Sequence, residues 1–246
     1  MIEQQTFVGV GTVYLENLKE SKGLLPIGEV SKLELAIETE KLELKSHIQS
    51  GGGLADSITR ISGVNIAMDI DNFSADNIAM ALFGNTTAAV GAAITDEPHK
   101  AYPGALVSFV NPPDLESGIE VTSVDGLTTY VLGVDYELSP AGITIIAGGA
   151  ISAMTEILVD YIGVNHDVIE MLTGAGDSYR LYFEGLNEAN SDSPVLVDIF
   201  RSKFDPTSSI GFITEGIGNL SMSGTVLKDT TKVGAGISKY VNIKKV

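Results

Sequence analysis

Polar and apolar residues alternate through Val30-Ser31-Lys32-Leu33-Glu34-Leu35-Ala36-Ile37-Glu38, the period of two expected of a half-buried β-strand. Leu33, Leu35 and Ile37 fall on one face, Glu34 and Glu38 on the other. The phase then slips, because Leu42 and Leu44 occupy even positions while Glu43 and Lys45 are odd. A bulge or bend between Thr39 and Leu42 would account for the slip, as would the end of the strand. A polar, glycine-rich stretch centred on Gly51-Gly52-Gly53 follows, and Val64, Ile66, Met68 and Ile70 restore strict alternation. The pattern describes two strands of one sheet joined by a long projecting arm, residues 39–60. Its isolated aliphatics are Leu42, Leu44, Ile48, Leu54 and Ile58. An irregular segment of this length is uncommon in a compact domain unless it binds something or moves. Ordering it costs roughly 1–2 kcal/mol per residue in backbone entropy, and contacts from a neighbouring subunit would offset that cost. The reading is an inter-subunit arm; the alternative is a loop that is disordered or covers its own domain.

One helix is predicted within residues 71–84. Ser74 is a natural N-cap, Asp76 lies in the first turn where carboxylates are favoured, and Gly84-Asn85 closes the element. Phe73 and Ile78 have staple spacing, and Ile78, Ala81 and Leu82 form an apolar stripe. A helix this short must lean on the sheet. From residue 104 to about 149 turn signals crowd together. Asn111-Pro112-Pro113 breaks the chain, while Val124-Asp125-Gly126-Leu127 and Ser139-Pro140-Ala141-Gly142 read as hairpin turns. Residues of about 100–150 are therefore additional β-hairpins or a small β insertion, and a meander contiguous with the core is the preferred form. Further strands are expected at 156–161, 179–185, 194–200 and 220–226, with a short helical turn between Val164 and Thr173. The opening segment 6–15 is β-prone, and its Gly9 and Gly11 mark bends or close backbone approach. The fold class is mainly β, on the α+β margin: a sandwich or barrel-like β fold with one packed α-helix and a long inter-strand arm.

At 246 residues and 25.9 kDa the chain is expected to form a single domain, 1–246, exposing about 10,500 Å². Fifteen basic against 32 acidic residues give a formal charge of -17, which argues against a basic nucleic-acid footprint. The acidity describes a self-repelling surface, or one that an anion must pass without sticking. Cysteine is absent, which removes disulfides and thiolate chemistry. No apolar run approaches the roughly 20 residues needed to span a bilayer, and no signal peptide is expected.

Catalytic signals are poor. His47, His99 and His166 match no zinc motif, and Gly51-Gly52-Gly53 lacks the lysine and hydroxyl of a phosphate loop. Gly9-Val10-Gly11 has no following dinucleotide-binding helix pattern. Asp69, Asp71, Asp135, Glu137 and Asp160 read as solvated or subunit-facing carboxylates. The absence of Trp weakens a sugar-binding reading. No catalytic residue, metal ligand or cofactor is assigned.

Taken in order, these segments resemble the bacteriophage tail tube, or major tail protein, family. The matching pieces are Phe7-Val8-Gly9-Val10-Gly11 with Val13-Tyr14-Leu15, then Pro26-Ile27-Gly28-Glu29-Val30, and the arm from Lys41 to Arg60 with its Ser50-Gly51-Gly52-Gly53 tip. Residues 64–70, the capped helix, and Thr129-Tyr130-Val131-Leu132-Gly133-Val134-Asp135-Tyr136-Glu137-Leu138 complete the match. The resemblance implies a virion structural protein assembled in the bacterial host cytoplasm. It implies hexameric rings stacked into a tube, with DNA passing through the lumen during ejection. Its partners would be further copies of the chain, a tape measure, a tail terminator, baseplate or tip proteins, and a sheath if the tail contracts. The arm role falls on residues 39–60. Glu34, Glu38, Asp69 and Asp71 are expected on the polar, lumen-facing side, although alternation equally permits them to face outward. Two alternatives stand: a secretion or contractile injection-system tube protein, and a glycan-binding or hydrolytic β-sandwich.

Overall fold

The computed structural model describes residues 6–48, 50 and 52–246. They form two compact units, one from the residues up to Thr86 together with Ile169–Val246, the other from Thr87–Val168. The strands run β1 (Gly9–Asn17), β2 (Leu25–Pro26), β3 (Val30–Lys45) and β4 (Leu54–Ile70), followed by helix α1 (Ala75–Ala81). Next come β5 (Asn85–Ala89), β6 (Ala93–Ala101), β7 (Leu106–Ser108), β8 (Glu120–Ser123), β9 (Tyr136–Ser139), β10 (Gly142–Ile145), β11 (Thr155–Ile162) and β12 (His166–Glu170). The chain ends with β13 (Ser178–Asn187), β14 (Ser193–Phe204), β15 (Leu220–Val226) and β16 (Val241–Lys245).

The first unit is one antiparallel sheet in the order β2-β1-β13-β14-β15-β4-β3, with β16 also pairing β14. One face carries Val13, Leu181, Ile199, Met68, Ile66 and Met222, all buried, and these form the core. Period-two alternation thus works as expected: β15 is buried at every second residue from Leu220 to Val226. Gly11 sits where a Cβ would run into the Glu184 carbonyl of β13, the close approach that its sequence context suggested. Helix α1 packs Ile78, Met80 and Ala81 against the same core. The Asn77 amide donates to the Ser74 hydroxyl at 3.3 Å, so Ser74 is the N-cap. The buried Asn77 side chain donates to the carbonyls of Ile27 and Asn72, tying the helix start to the β2–β3 connection.

No ladder joins the β2 and β3 ends of the sheet among the described residues, so the fold is mainly β with one packed helix but shows no closed barrel. The segment between Val164 and Thr173 is not helical; it forms β12, which pairs with β5. The hairpins expected at 100–150 do not extend the main sheet. They belong to Thr87–Val168, a unit with its own three-stranded sheets, β7-β10-β9 and β6-β11-β8, and its own core of Val121, Tyr136, Ile143, Ile145, Ile157 and Val159. The two hairpin turns themselves form as read. Asp125 accepts from the Leu127 amide, and Ser139 pairs with Gly142 across Pro140-Ala141.

The chain exposes 15528 Å².

Candidate assembly surface

The expected arm is not an irregular loop but the outer half of a continuous ladder. Pairing runs from Val30↔Ile70 through Glu38↔Gly63, then Thr39↔Ile61 to Leu44↔Asp56 and Lys45↔Leu54. β3 carries no bulge between Thr39 and Leu42: it pairs continuously through residues 38–44, and the extra residue at the adjoining register shift is Ser62, on β4, which changes the phase of β4 and brings Ile58 opposite Leu42. Because β3 alternates unbroken, Leu42 and Leu44 stand on the opposite face from Leu33, Leu35 and Ile37.

Following both strands outward, exposed aliphatics come to stand on both faces. At the base, Leu33, Leu35 and Ile37 with their partners Met68, Ile66 and Val64 occupy the core face, and Glu34, Glu38 and Asp69 occupy the other. Beyond the bulge, the core-continuing face carries Thr39, Lys41, Glu43, Ser57 and Thr59, with Lys41 and Glu43 paired at 2.9 Å, and the exposed Ile61 and Leu54. The opposite face carries the cross-strand pair Leu42–Ile58 together with Leu44, between the charged pair Glu40–Arg60 and Asp56. These aliphatics are exposed, Leu44 at 62% and the tip residue Ile48 at 94%, and so is Leu54. The tip is closed by the Ser46 amide donating to the Gly53 carbonyl at 2.7 Å. Gly52 takes φ +63° there, a left-handed conformation that L side chains rarely adopt. Gly51, also assigned to the arm, lies outside the described residues.

β3 is the terminal strand of the sheet path, so its outer edge of 16 residues presents unpaired backbone groups among the described residues. Such an edge is a template for pairing with another chain. Its side chains are dense in charge, including Lys32, Glu34, Glu38, Glu40, Lys41, Glu43 and Lys45, which restricts the partner to one of matching pattern.

The sheet face away from the core gathers three of the four selected acids. Glu34 pairs with Lys32 at 3.1 Å, Glu38 accepts from Asn65 at 2.7 Å, and Asp69 accepts from Ser221 at 2.6 Å. Ser223 and Thr225 of β15 continue this surface, giving short hydroxyls and held carboxylates. Asp71 falls just past the end of β4 and accepts from the Ser31 hydroxyl at 3.2 Å. Nothing in the alternating sequence distinguished it from the other three; the turn into α1 does.

The remaining polar clusters are structural. Arg180 donates two hydrogen bonds to Asp198 at 2.9 and 2.8 Å across β13 and β14. In the second unit Glu97 accepts from Tyr161 at 2.6 Å and from the Val110 amide, and lies 2.7 Å from the His99 ring. Burial, then the Glu97 carboxylate, pushes the Tyr161 phenol up to about 12, so it stays a donor. Asp135, named in sequence only as a solvated acid, is covered. It accepts from the amides of Ala150 at 2.7 Å and Val131 at 2.8 Å, which hold its carboxyl below the usual range. Among the described residues no group of three or more His, Asp or Glu side chains is placed to hold a metal ion. Among the described residues no helix is long and apolar enough to cross a membrane.

A family model matches residues 6–244, nearly the whole chain; the family is described as "Protein of unknown function UCP028589". No curated protein matches the chain.

Proposed function

The chain belongs to that family, and we propose that it is the structural subunit of a phage tail tube, polymerising as stacked hexameric rings around a lumen through which DNA passes. The observation that carries this reading is the outer half of β3–β4, an ordered ladder whose Leu42, Leu44, Ile58 and Ile61 its own protomer leaves uncovered. Ordered backbone with unburied apolar side chains is what a subunit presents before its neighbour arrives. The open β3 edge supports the same reading.

In this assembly the open sheet is a tail-tube protomer whose barrel-like closure comes from pairing across subunits. The arm, with Leu42, Leu44, Ile48, Gly52, Gly53, Leu54 and Ile58, reaches the next copy. Glu34, Glu38 and Asp69, backed by Ser221, Ser223 and Thr225, line the lumen. Carboxylates there repel phosphate, whereas clustered Lys or Arg would hold the passing duplex. The carboxylates are engaged by neutral or paired neighbours, so the lining is fixed without being basic. No chemical step is required of the protein. Its partners are further copies of itself, the tape measure that sets tube length, and the terminator and tip or baseplate proteins that bound the tube within the virion tail.

Electron microscopy of the purified, concentrated chain, alone and seeded with tail-tip complex, tests the proposal. Six-fold rings and stacks are expected. Dispersed protein in both samples overturns it.

A further inference from the structure

Basic residues are scarce in this acidic chain, and their partners are unevenly shared. Lys19, Lys22, Lys32, Lys41 and Arg180 each pair with an acid of their own chain. Residues 227–246 hold five lysines against one acid, Asp229. Among the described residues, Arg201, Lys228, Lys232 and Lys239 form no ion pair with a carboxylate.

These four cations gather at one loop, the connection between β15 and β16. Its neck is tied down: the Leu227 amide donates to the Arg201 carbonyl at 2.8 Å, the Phe200 amide to that of Tyr240 at 3.1 Å, and the Asp229 amide to that of Lys239 at 2.8 Å. The Lys232 ammonium stands 4.7 Å from the centre of the Phe200 ring. Asp229 is engaged locally, accepting from the Thr231 amide at 2.9 Å and from its hydroxyl at 2.7 Å. The loop borders a cleft of about 800 Å³ lined in part by Arg201 and Lys232. The other acids of the cleft, Glu16 and Asp177, are matched by Arg180 at 3.8 Å and Lys19 at 3.7 Å. Cations left unmatched on a held loop select an anionic partner.

The same polypeptide carries a surface of the opposite sign. Thr87–Val168 holds eleven carboxylates against a single cation, Lys100, which lies opposite Glu156 of β11. Glu116, Glu120, Glu137 and Asp167 are exposed. Glu120 of β8 also lies directly opposite Asp160 of β11, a like-charge pair that is unfavourable until a cation neutralises it. Nucleic acid suits the loop less well, because Asp229, Glu16 and Asp177 interrupt its cations and a phosphate backbone calls for a continuous basic track.

We propose that the 227–240 loop of one copy, with Arg201, docks against the acidic Thr87–Val168 unit of a second copy. Loop and unit are different surfaces, so the contact is heterologous and propagates around a ring or along a stack instead of closing a dimer. It deepens the tube reading, on which it rests, by naming a contact that does not involve the arm.

Carbodiimide joins a carboxylate to an amine that it already touches, so the full chain reports the contact directly. Isotope-labelled and unlabelled protein are mixed, concentrated, treated with carbodiimide and digested, and the same samples are imaged for particles. Cross-links between labelled and unlabelled peptides are expected from Lys228, Lys232 or Lys239 to carboxylates of Thr87–Val168. The variant Lys228→Gln/Lys232→Gln/Lys239→Gln should keep the wild-type circular dichroism, since none of the three is buried, and raise the concentration needed for particles about tenfold. Particles without such mixed cross-links overturn the loop contact and leave the tube. Mixed cross-links without particles support the contact and overturn the tube. Absence of both overturns both. Mixed cross-links from these lysines only to carboxylates of the first unit overturn the partner named here, as does binding of a fluorescent DNA duplex by the wild type that the glutamine variant loses.

Discussion

The two halves of the β3–β4 hairpin share one ladder and differ in what their side chains do. The basal half places Met68, Ile66 and Val64 in the core, and its backbone is held between β15 and β3. The distal half, from Thr39↔Ile61 outward, keeps the hydrogen-bonded pairing but buries none of its aliphatics. A two-stranded ribbon with no packed face is at best marginally stable by itself. Its order is inherited from the base, while its apolar groups wait for another surface. The face on which those groups lie makes the same point. Had Leu42 and Leu44 kept the phase of Leu33 and Leu35, the arm would extend the core face; instead they fall on the other face of an unbroken β3, and the Ser62 bulge in β4 brings Ile58 there beside them.

The largest effect should come from removing the distal tip. Deleting residues 47–56 is expected to abolish particle formation while the monomer keeps its β-type circular dichroism and loses no more than about 1 kcal/mol, because the paired residues it removes, Leu54 and Asp56, are exposed and pack no core. Sedimentation and circular dichroism on the same preparation read both quantities. Tubes of ordinary appearance from the deleted chain would remove the assembly role of the arm.

Paired substitutions in the two halves come next. Met68→Ala empties a fully buried site and should cost about 2–5 kcal/mol in urea unfolding. Leu44→Ala, on the exposed face, should shift monomer stability by no more than about 0.5 kcal/mol. Similar costs at both positions would mean that the distal half is packed by its own protomer, and the contrast would fail.

Much of this was legible in the residues, and the gaps have identifiable causes. Ser74 marks its helix because capping is local chemistry, and the even-numbered apolar run at 64–70 reads directly as a core face. The slip at Leu42 was visible as well, but the bulge lies in the partner strand, at Ser62 of β4, and a single strand's pattern cannot say which partner carries a bulge. The turns at 100–150 fit either added hairpins or a small insertion, because strands three to nine residues long resemble hairpins anywhere. What marks Thr87–Val168 as a unit is a core closed by Ile143, Ile157 and Val121, brought together from distant positions.

The second unit sharpens the comparison, since it also exposes aliphatics, Val131 and Val134 among them, yet holds them with its own chain. Asp135 fixes that loop through the amides of Val131 and Ala150. Asp135→Ala strands both donors and should cost about 2–3 kcal/mol, seen as faster hydrogen exchange at those amides. The pH dependence has a defined sign. The carboxyl is held below its unfolded value of about 3.9 by these amides, so its contribution is complete above that pH and is lost as the pH falls through the lower folded value. Exchange at Val131 and Ala150 should therefore accelerate on acidification in the native chain and become insensitive to pH, after correction for intrinsic exchange, in the alanine variant. An unaltered acid response in that variant would show that another group closes the loop.

The finest measurement concerns Leu42 and Ile58, directly opposite on the exposed face. Cross-strand aliphatic pairs contribute roughly 0.2–1 kcal/mol relative to alanine, and here no core multiplies the effect. A double-mutant cycle of Leu42→Ala and Ile58→Ala on the monomer should return a coupling within that range. The same cycle read from the concentration at which particles form should return a larger one, because each side chain then loses contacts to a neighbouring copy as well as to its partner. The ratio of the two couplings separates a ribbon that only holds itself together from one that holds a second molecule. Equal couplings in the two states would mean that the pair belongs to the monomer alone, and the apolar face of the arm would lose its claim as a contact surface.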